Sequence, residues 1–214
     1  MRTKHDFIEF MSEAGVLTFG DFTTKSGRKT PYFVNTGNYK TGKHISTLGD
    51  YYADLLVSSG EKYDALFGPA YKGITLAAAT AASLYRNHEI DIPYFFNRKE
   101  VKDHGEGGSL VGYKPKDGDK IVIIEDVVTA GTAVRESLEL LNAVADVEVT
   151  ALFVSVDRME RGTGERTTLD ELKHEFNINT YSIINACDII KSLPIGDERV
   201  AKIENYLLQY GARA

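Results

Sequence analysis

The stretch Ile121–Val134, IVIIEDVVTAGTAV, decides how the rest of the chain is read. It opens with four β-branched apolar residues, Ile121 to Ile124. A run this short and this uniformly apolar is not an amphipathic helix; it is the pattern of a central parallel strand buried on both faces. Glu125 and Asp126 follow where such a strand leaves the core. Thr129, Ala130, Gly131, Thr132 and Ala133 then open a helix that runs on through Arg135 to Leu141. Small residues let backbone N–H groups converge on an anion, and the helix N-terminus adds its partial positive charge. Carboxylates beside such a cradle suit a phosphorylated sugar, whose diol needs acceptors and whose phosphate needs donors. Taken singly, the acidic pair could merely end a strand and Thr129 merely cap a helix. The ordered run acid-acid-x-x-Thr-Ala-Gly-Thr-Ala on a strand-to-helix junction is far more specific. Neither GxxxxGK[ST] nor GxGxxG occurs in the chain.

With 43% hydrophobic and 26% charged residues, the 214-residue chain has the makeup of a globular protein with a sizeable core. One domain over residues 1–214 is expected, without a linker. The net charge of -6 provides no global field for a nucleic-acid backbone. A lone cysteine, Cys187, forms no internal disulfide and suits a reducing cytoplasm. No apolar run approaches the ~18 residues of a membrane span. The start, MRTKHDFIEF, lacks the apolar stretch of a secretion signal. The expectation is a cytoplasmic protein with neither membrane nor nucleic acid as a partner.

Around the central strand the pattern alternates. A first helix over His5–Ala14 is stopped by Gly15, and two strands, Val16–Phe22 and Pro31–Thr36, flank the turn Lys25-Ser-Gly-Arg-Lys as a hairpin flap. A helix over Lys43–Ser58 turns Ile45, Leu48, Tyr52, Leu55 and Leu56 inward. Strands are expected at Ala65–Phe67, Pro93–Phe96, Val147–Val156 and Thr180–Ile184. Helices are expected at Ile74–Tyr85, Asn185–Ser192 and Asp197–Tyr210. Strand-helix alternation predicts an α/β fold with a parallel sheet and right-handed crossovers. Hairpin and terminal helices, about residues 1–40 and 180–214, would form a small hood.

Four further stretches fall where strands of such a sheet end, the edge at which open α/β folds bind ligands. In FGPAYKG, Phe67 to Gly73, the glycines would permit backbone conformations closed to other residues, and Lys72 brings a cation. In Asn97–Ser109, Arg98, Lys99, Lys102 and His104 put four potential cations within seven residues, with Gly105, Gly107 and Gly108 after them. That run reads as a polar loop, ordered when a polyanion such as pyrophosphate neutralises it. The hairpin carries Lys25, Arg28 and Lys29. Arg158 follows the long strand, either in a salt bridge or with its bidentate fork on a ligand carboxylate.

In order, FTTKSGRKTPYF, FGPAYKG, NRKEVKDHGEGG, IVIIEDVVTAGTA and VDRMERG resemble the type I phosphoribosyltransferases and, among them, the orotate phosphoribosyltransferases. The TAGTA element marks the wider superfamily; the hairpin and the RKEVKDHGEGG segment point to the orotate branch. The resemblance spans about Phe22 to Gly162. It implies the type I fold, a central parallel sheet flanked by helices beneath the hood. It also implies attack of orotate on carbon 1 of phosphoribosyl pyrophosphate, with Mg²⁺ held mainly by substrate oxygens.

By the same resemblance Glu125 and Asp126 hold the ribose hydroxyls, and Val127, Val128, Thr129, Ala130, Gly131, Thr132 and Ala133 form the 5′-phosphate segment. Tyr71, Lys72, Arg98, Lys99, Lys102, His104 and Lys25 complete the phosphoribosyl-pyrophosphate site, Lys102 and Asp126 being the catalytic pair. Orotate would meet Lys25, the backbone at Phe33 and Val34, Thr129 and Arg158. The working unit would be a homodimer whose 98–108 loop is shared between subunits. Two alternatives remain at this stage. One is a purine-base transferase, opposed by the cations Lys25 and Arg158. The other is a regulator that senses phosphoribosyl pyrophosphate, opposed by the lack of a basic face. The five histidines show no metal-ligand spacing, and there is no GxSxG.

Overall fold

Alternation within the central strand builds two cores. In the computed structural model, which describes residues 2–24, 27–102 and 108–212, strand β6 (Lys120–Ile124) carries four fully buried residues. Val122 and Ile124 join one apolar cluster, Ile121 and Ile123 the other, because successive side chains of a strand point to opposite faces.

Around β6 lie β3 (Ala65–Gly68), β4 (Tyr94–Lys102), β5 (Gly108–Gly112), β7 (Glu148–Asp157) and β8 (Asn179–Asn185), in the order β5-β4-β3-β6-β7-β8. All neighbours are parallel except β4 and β5, with Phe67 opposite Ile123 and Ile123 opposite Leu152 in the centre.

The first face is covered by α1 (Lys4–Glu13), α2 (Gly42–Ser59) and α3 (Lys72–His88), and joined by α6 (Ala186–Ser192) and α7 (Glu198–Tyr210). Thr3 and Asp6 cap α1 reciprocally, and Gly15 follows it at φ 66°. The second face is covered by α4 (Thr132–Val144) and α5 (Thr168–Phe176). A separate antiparallel hairpin, β1 (Leu17–Thr23) with β2 (Lys29–Val34), buries Leu17 and Tyr32 in the same cluster as Phe7, Met11, Ile203 and Tyr206. The hood therefore packs on the sheet through a shared core.

Three elements depart from expectation. The second hairpin strand, expected to reach Thr36, ends at Val34, and Thr36–Asn38 form a short 3-10 turn capped by Asn35. The polar segment after Phe96 is not simply a loop: β4 runs on to Lys102 and β5 returns beside it from Gly108 to Gly112. Neighbour pairing at the sheet edge outweighs the low strand preference of NRKEVK and GSLVG. Helix α5 was not anticipated, although Thr167 caps it through the Asp170 N–H and acidic and basic residues sit at the ends that suit them.

Candidate active site

At the C-terminal end of β6 the chain must turn before α4, and neighbouring elements pin that turn down. The buried Tyr52 hydroxyl donates to the Glu125 carbonyl at 2.6 Å. Ser155 of β7 donates to the Asp126 carbonyl from both its N–H, at 2.8 Å, and its Oγ, at 2.7 Å. Val127 packs toward the first core and Val128 toward the second. Farther on, Thr168 Oγ1 donates to the Thr129 carbonyl at 2.6 Å, and Arg135 Nη1 to the Ala130 carbonyl at 3.0 Å. Gly131 takes φ 76° at the start of α4, a backbone conformation that favours glycine. Thr129, Ala130, Thr132 and Ala133 stay exposed around it, and the helix N-terminus has no side-chain cap.

The loop between β3 and α3 lies tightly against this turn. A Cβ on Gly68 would stand 2.1 Å from the Gly73 carbonyl oxygen, and one on Gly73 would stand 2.9 Å from the Ile124 carbonyl oxygen. Neither glycine has a positive φ, so close approach, not backbone freedom, is the reason for both. Asn97 of β4 accepts the Ala70 N–H at 2.8 Å, and the Ala70–Tyr71 peptide is cis. Tyr71 is exposed, with the Lys99 ammonium 5.0 Å from its ring centre.

From the end of that loop Lys72 Nζ donates to Asp126 Oδ2 and to Thr36 Oγ1, each at 2.7 Å. Thr36 Oγ1 in turn donates to Asp126 Oδ2. Burial pushes the Asp126 carboxyl up, but hydrogen bonds from Lys72, Thr36 and the Val127 N–H outweigh it and hold its pKa below the ordinary value. Glu125, buried and beside the Asp126 charge, is pushed the other way, to about 7. Two adjacent carboxyl groups thus differ in character, one held ionised and one titrating near neutral pH.

The hood supplies the other side. Arg158, just after β7, is largely buried over the Tyr32 ring at 4.4 Å from its centre. Its Nε donates to Glu160 at 2.6 Å and its Nη2 to Thr30 at 3.2 Å. Glu160 also accepts from the Tyr206 hydroxyl at 2.7 Å and from Arg28 at 3.3 Å. The bidentate edge expected to face a ligand is therefore occupied, and Nη1 is the nitrogen without a hydrogen-bond partner among the described residues. Burial works against the Arg158 charge, yet Tyr32 and Glu160 raise its pKa, so it stays cationic. Phe33 is exposed beside Phe22, and Val34 is half-buried against the hood core.

Of the expected site residues, Glu125, Asp126, Lys72 and the 127–133 segment come together, and Arg98 and Lys99 lie on β4 beside the Tyr71 loop. Lys25 and His104, and the side chain of Lys102, lie outside the described residues. Thr36, Asn97, Ser155 and Thr168 were missed. Among the described residues no three His, Cys, Asp or Glu side chains are grouped to hold a metal. Glu125 and Asp126 are what this edge offers a hard cation, a set that fits an ion coordinated mainly by substrate oxygens and water.

Fold and site define a phosphoribosyltransferase: residues 36–183 match the family described as the phosphoribosyl transferase domain. Over 98% of both chains, the sequence is 50% identical to the orotate phosphoribosyltransferase of Clostridium beijerinckii. It is 47% identical to that of Shewanella oneidensis, over 99% of this chain and 98% of the other. The crystal structure of the Francisella tularensis orotate phosphoribosyltransferase superposes with a TM-score of 0.88 at 39% identity, covering 96% of this chain and 99% of that one. The chain belongs to the orotate phosphoribosyltransferase family.

Proposed function

We propose that the protein transfers the 5-phosphoribosyl group from phosphoribosyl pyrophosphate to orotate in pyrimidine nucleotide synthesis. A bond forms between N1 of orotate and C1 of the ribose, the bond from C1 to the pyrophosphate oxygen breaks, and the N1 proton is released. Orotidine 5′-monophosphate and pyrophosphate are the products. The observation that carries this reading is the junction after β6, where a buried and a mostly buried carboxyl group lie between Lys72 and the open N-terminus of α4.

Such a transfer passes through an oxocarbenium-like state, so the protein has to position the reactants and neutralise the leaving group. Asp126 and Glu125 accept from the ribose diol. Backbone N–H groups from Thr129 to Ala133 hold the 5′-phosphate. Tyr71, Lys72, Arg98, Lys99, Lys102 and His104 surround the pyrophosphate. Lys25, Thr129, the backbone at Phe33 and Val34, and Arg158 receive orotate, Arg158 through Nη1. Mg²⁺ would be held mainly by substrate oxygens and water, and would offset pyrophosphate charge.

The working unit is a cytoplasmic homodimer in which the 98–108 segment serves the neighbouring site. Mixing inactive Lys102→Ala with inactive Asp126→Ala should then restore roughly a quarter of wild-type activity, since one site of each mixed dimer receives neither lesion. No recovery in proven mixed dimers would show that each segment serves its own subunit. The reaction is tested by following orotate absorbance after adding phosphoribosyl pyrophosphate and Mg²⁺. Consumption of orotate but not of adenine or hypoxanthine is expected; consumption of a purine base instead would overturn the assignment.

A further inference from the structure

The turn that follows β2 is held more firmly than a connecting segment requires. Asn35 donates its N–H to the Val16 carbonyl at 2.8 Å and accepts the Gly37 N–H on its side chain at 3.2 Å. Asn38 donates from Nδ2 to the Gly15 carbonyl at 2.6 Å. Between these anchors the half-buried Thr36 is directed at the site, where its hydroxyl meets two groups of opposite charge. An ammonium can only donate and a carboxylate only accept, so a hydroxyl is the group that can join both through one atom, accepting from Lys72 while donating to Asp126.

We propose that Thr36 is a positioning residue: its hydroxyl sets the Asp126 carboxylate and the Lys72 ammonium in one arrangement before the substrate arrives. This rests on the assignment of the site to phosphoribosyl pyrophosphate. Three elements with different origins meet there, the hood turn, the start of α3 and the end of β6. Lys72 is a long exposed side chain with many rotamers, and Asp126 is mostly buried. Fixing both beforehand removes ordering that binding would otherwise require. The substrate's diol approaches Asp126 and its pyrophosphate approaches Lys72, so both ends of one molecule depend on one hydroxyl.

The test is Thr36→Val, which keeps the shape of the side chain and removes the hydroxyl, alongside Thr36→Ser, which keeps the hydroxyl. Binding of phosphoribosyl pyrophosphate, measured by equilibrium dialysis, should weaken roughly 10- to 100-fold in Thr36→Val, as for loss of hydrogen bonds to charged groups. The orotate KM should change little, and Thr36→Ser should restore most of the affinity. In a Lys72→Ala background the Thr36→Val effect should shrink, because the shared contact is already broken. Wild-type affinity in Thr36→Val, or equal losses in the Val and Ser variants, would overturn the proposal. If the wild type itself failed to bind phosphoribosyl pyrophosphate, the functional reading would fall, and this inference with it.

Discussion

At the proposed sugar end of the site, Asp126, Lys72 and Thr36 meet around one carboxylate oxygen, and the backbone beneath them is packed so closely that two glycines are required. At the proposed base end, Arg158 lies between the Tyr32 ring and a cluster of polar side chains gathered on Glu160. The first end is shaped by main chain within the sheet, the second by side chains borrowed from the hairpin and α7. Main-chain geometry tolerates little change, whereas a cluster of side chains loses function by degrees. The two ends should therefore fail differently when disturbed.

The largest effect is expected from Gly68→Ala. The new methyl group would lie 2.1 Å from a backbone oxygen, so the β3–α3 loop must move. A cost of about 3 kcal/mol or more is expected, with a fall in Tm of roughly 6–12 °C and near-complete loss of turnover. A variant with unchanged Tm and activity would show that the sugar end is not shaped by that approach.

A smaller effect, and one dependent on pH, is expected from Glu125→Gln. The folded state raises the Glu125 pKa from 4.5 to about 7, chiefly through burial. A raised folded-state value means that this group's stabilising effect is fully present below about 4.5 and is lost as pH rises through about 7. Glutamine carries no such dependence. The variant should melt a few degrees above the wild type at pH 8.5, with the gap closing toward pH 4.5 in a thermal melt series. A gap that widened in acid would show that the carboxylate is held ionised.

The smallest effect belongs to the base end. Tyr206→Phe removes one hydrogen bond to Glu160 and should cost about 0.5–1.5 kcal/mol of stability. The orotate KM should rise modestly and that of phosphoribosyl pyrophosphate should stay put. Equal changes in both would mean that α7 supports the whole site and not the base end alone.

How legible each end was in the sequence follows from how it is built. The β6 junction is contiguous, so Glu125, Asp126 and the small residues after them reveal strand, turn and helix in a single pass. Lys72 and Tyr71 were reachable because a glycine-rich loop announces itself after a strand. Thr36 was not, since a lone threonine after a hairpin strand has no local signal, and its role arises only when the hood is folded onto β6. Arg158 stood out as a cation at a strand end, but its clamp on Glu160 depends on Tyr206, almost fifty residues away in sequence. The β4–β5 extension was hidden for a related reason: its residues are polar and glycine-rich, and become strand by pairing with each other. Helix α5 did carry a capping signal at Thr167 and Asp170, and its support of Thr129 through Thr168 could not be read from it.

The division of the site into a sugar end and a base end is tested most directly by initial rates of Asp126→Ala and Arg158→Ala, with each substrate varied in turn. Truncating one partner of a buried, hydrogen-bonded charge pair typically costs 2–5 kcal/mol, a factor of roughly 30 to several thousand. Asp126→Ala should lose that factor in kcat/KM for phosphoribosyl pyrophosphate, while Arg158→Ala loses it for orotate and keeps its phosphoribosyl-pyrophosphate KM within about threefold. Equal losses for both substrates in both variants would contradict the account.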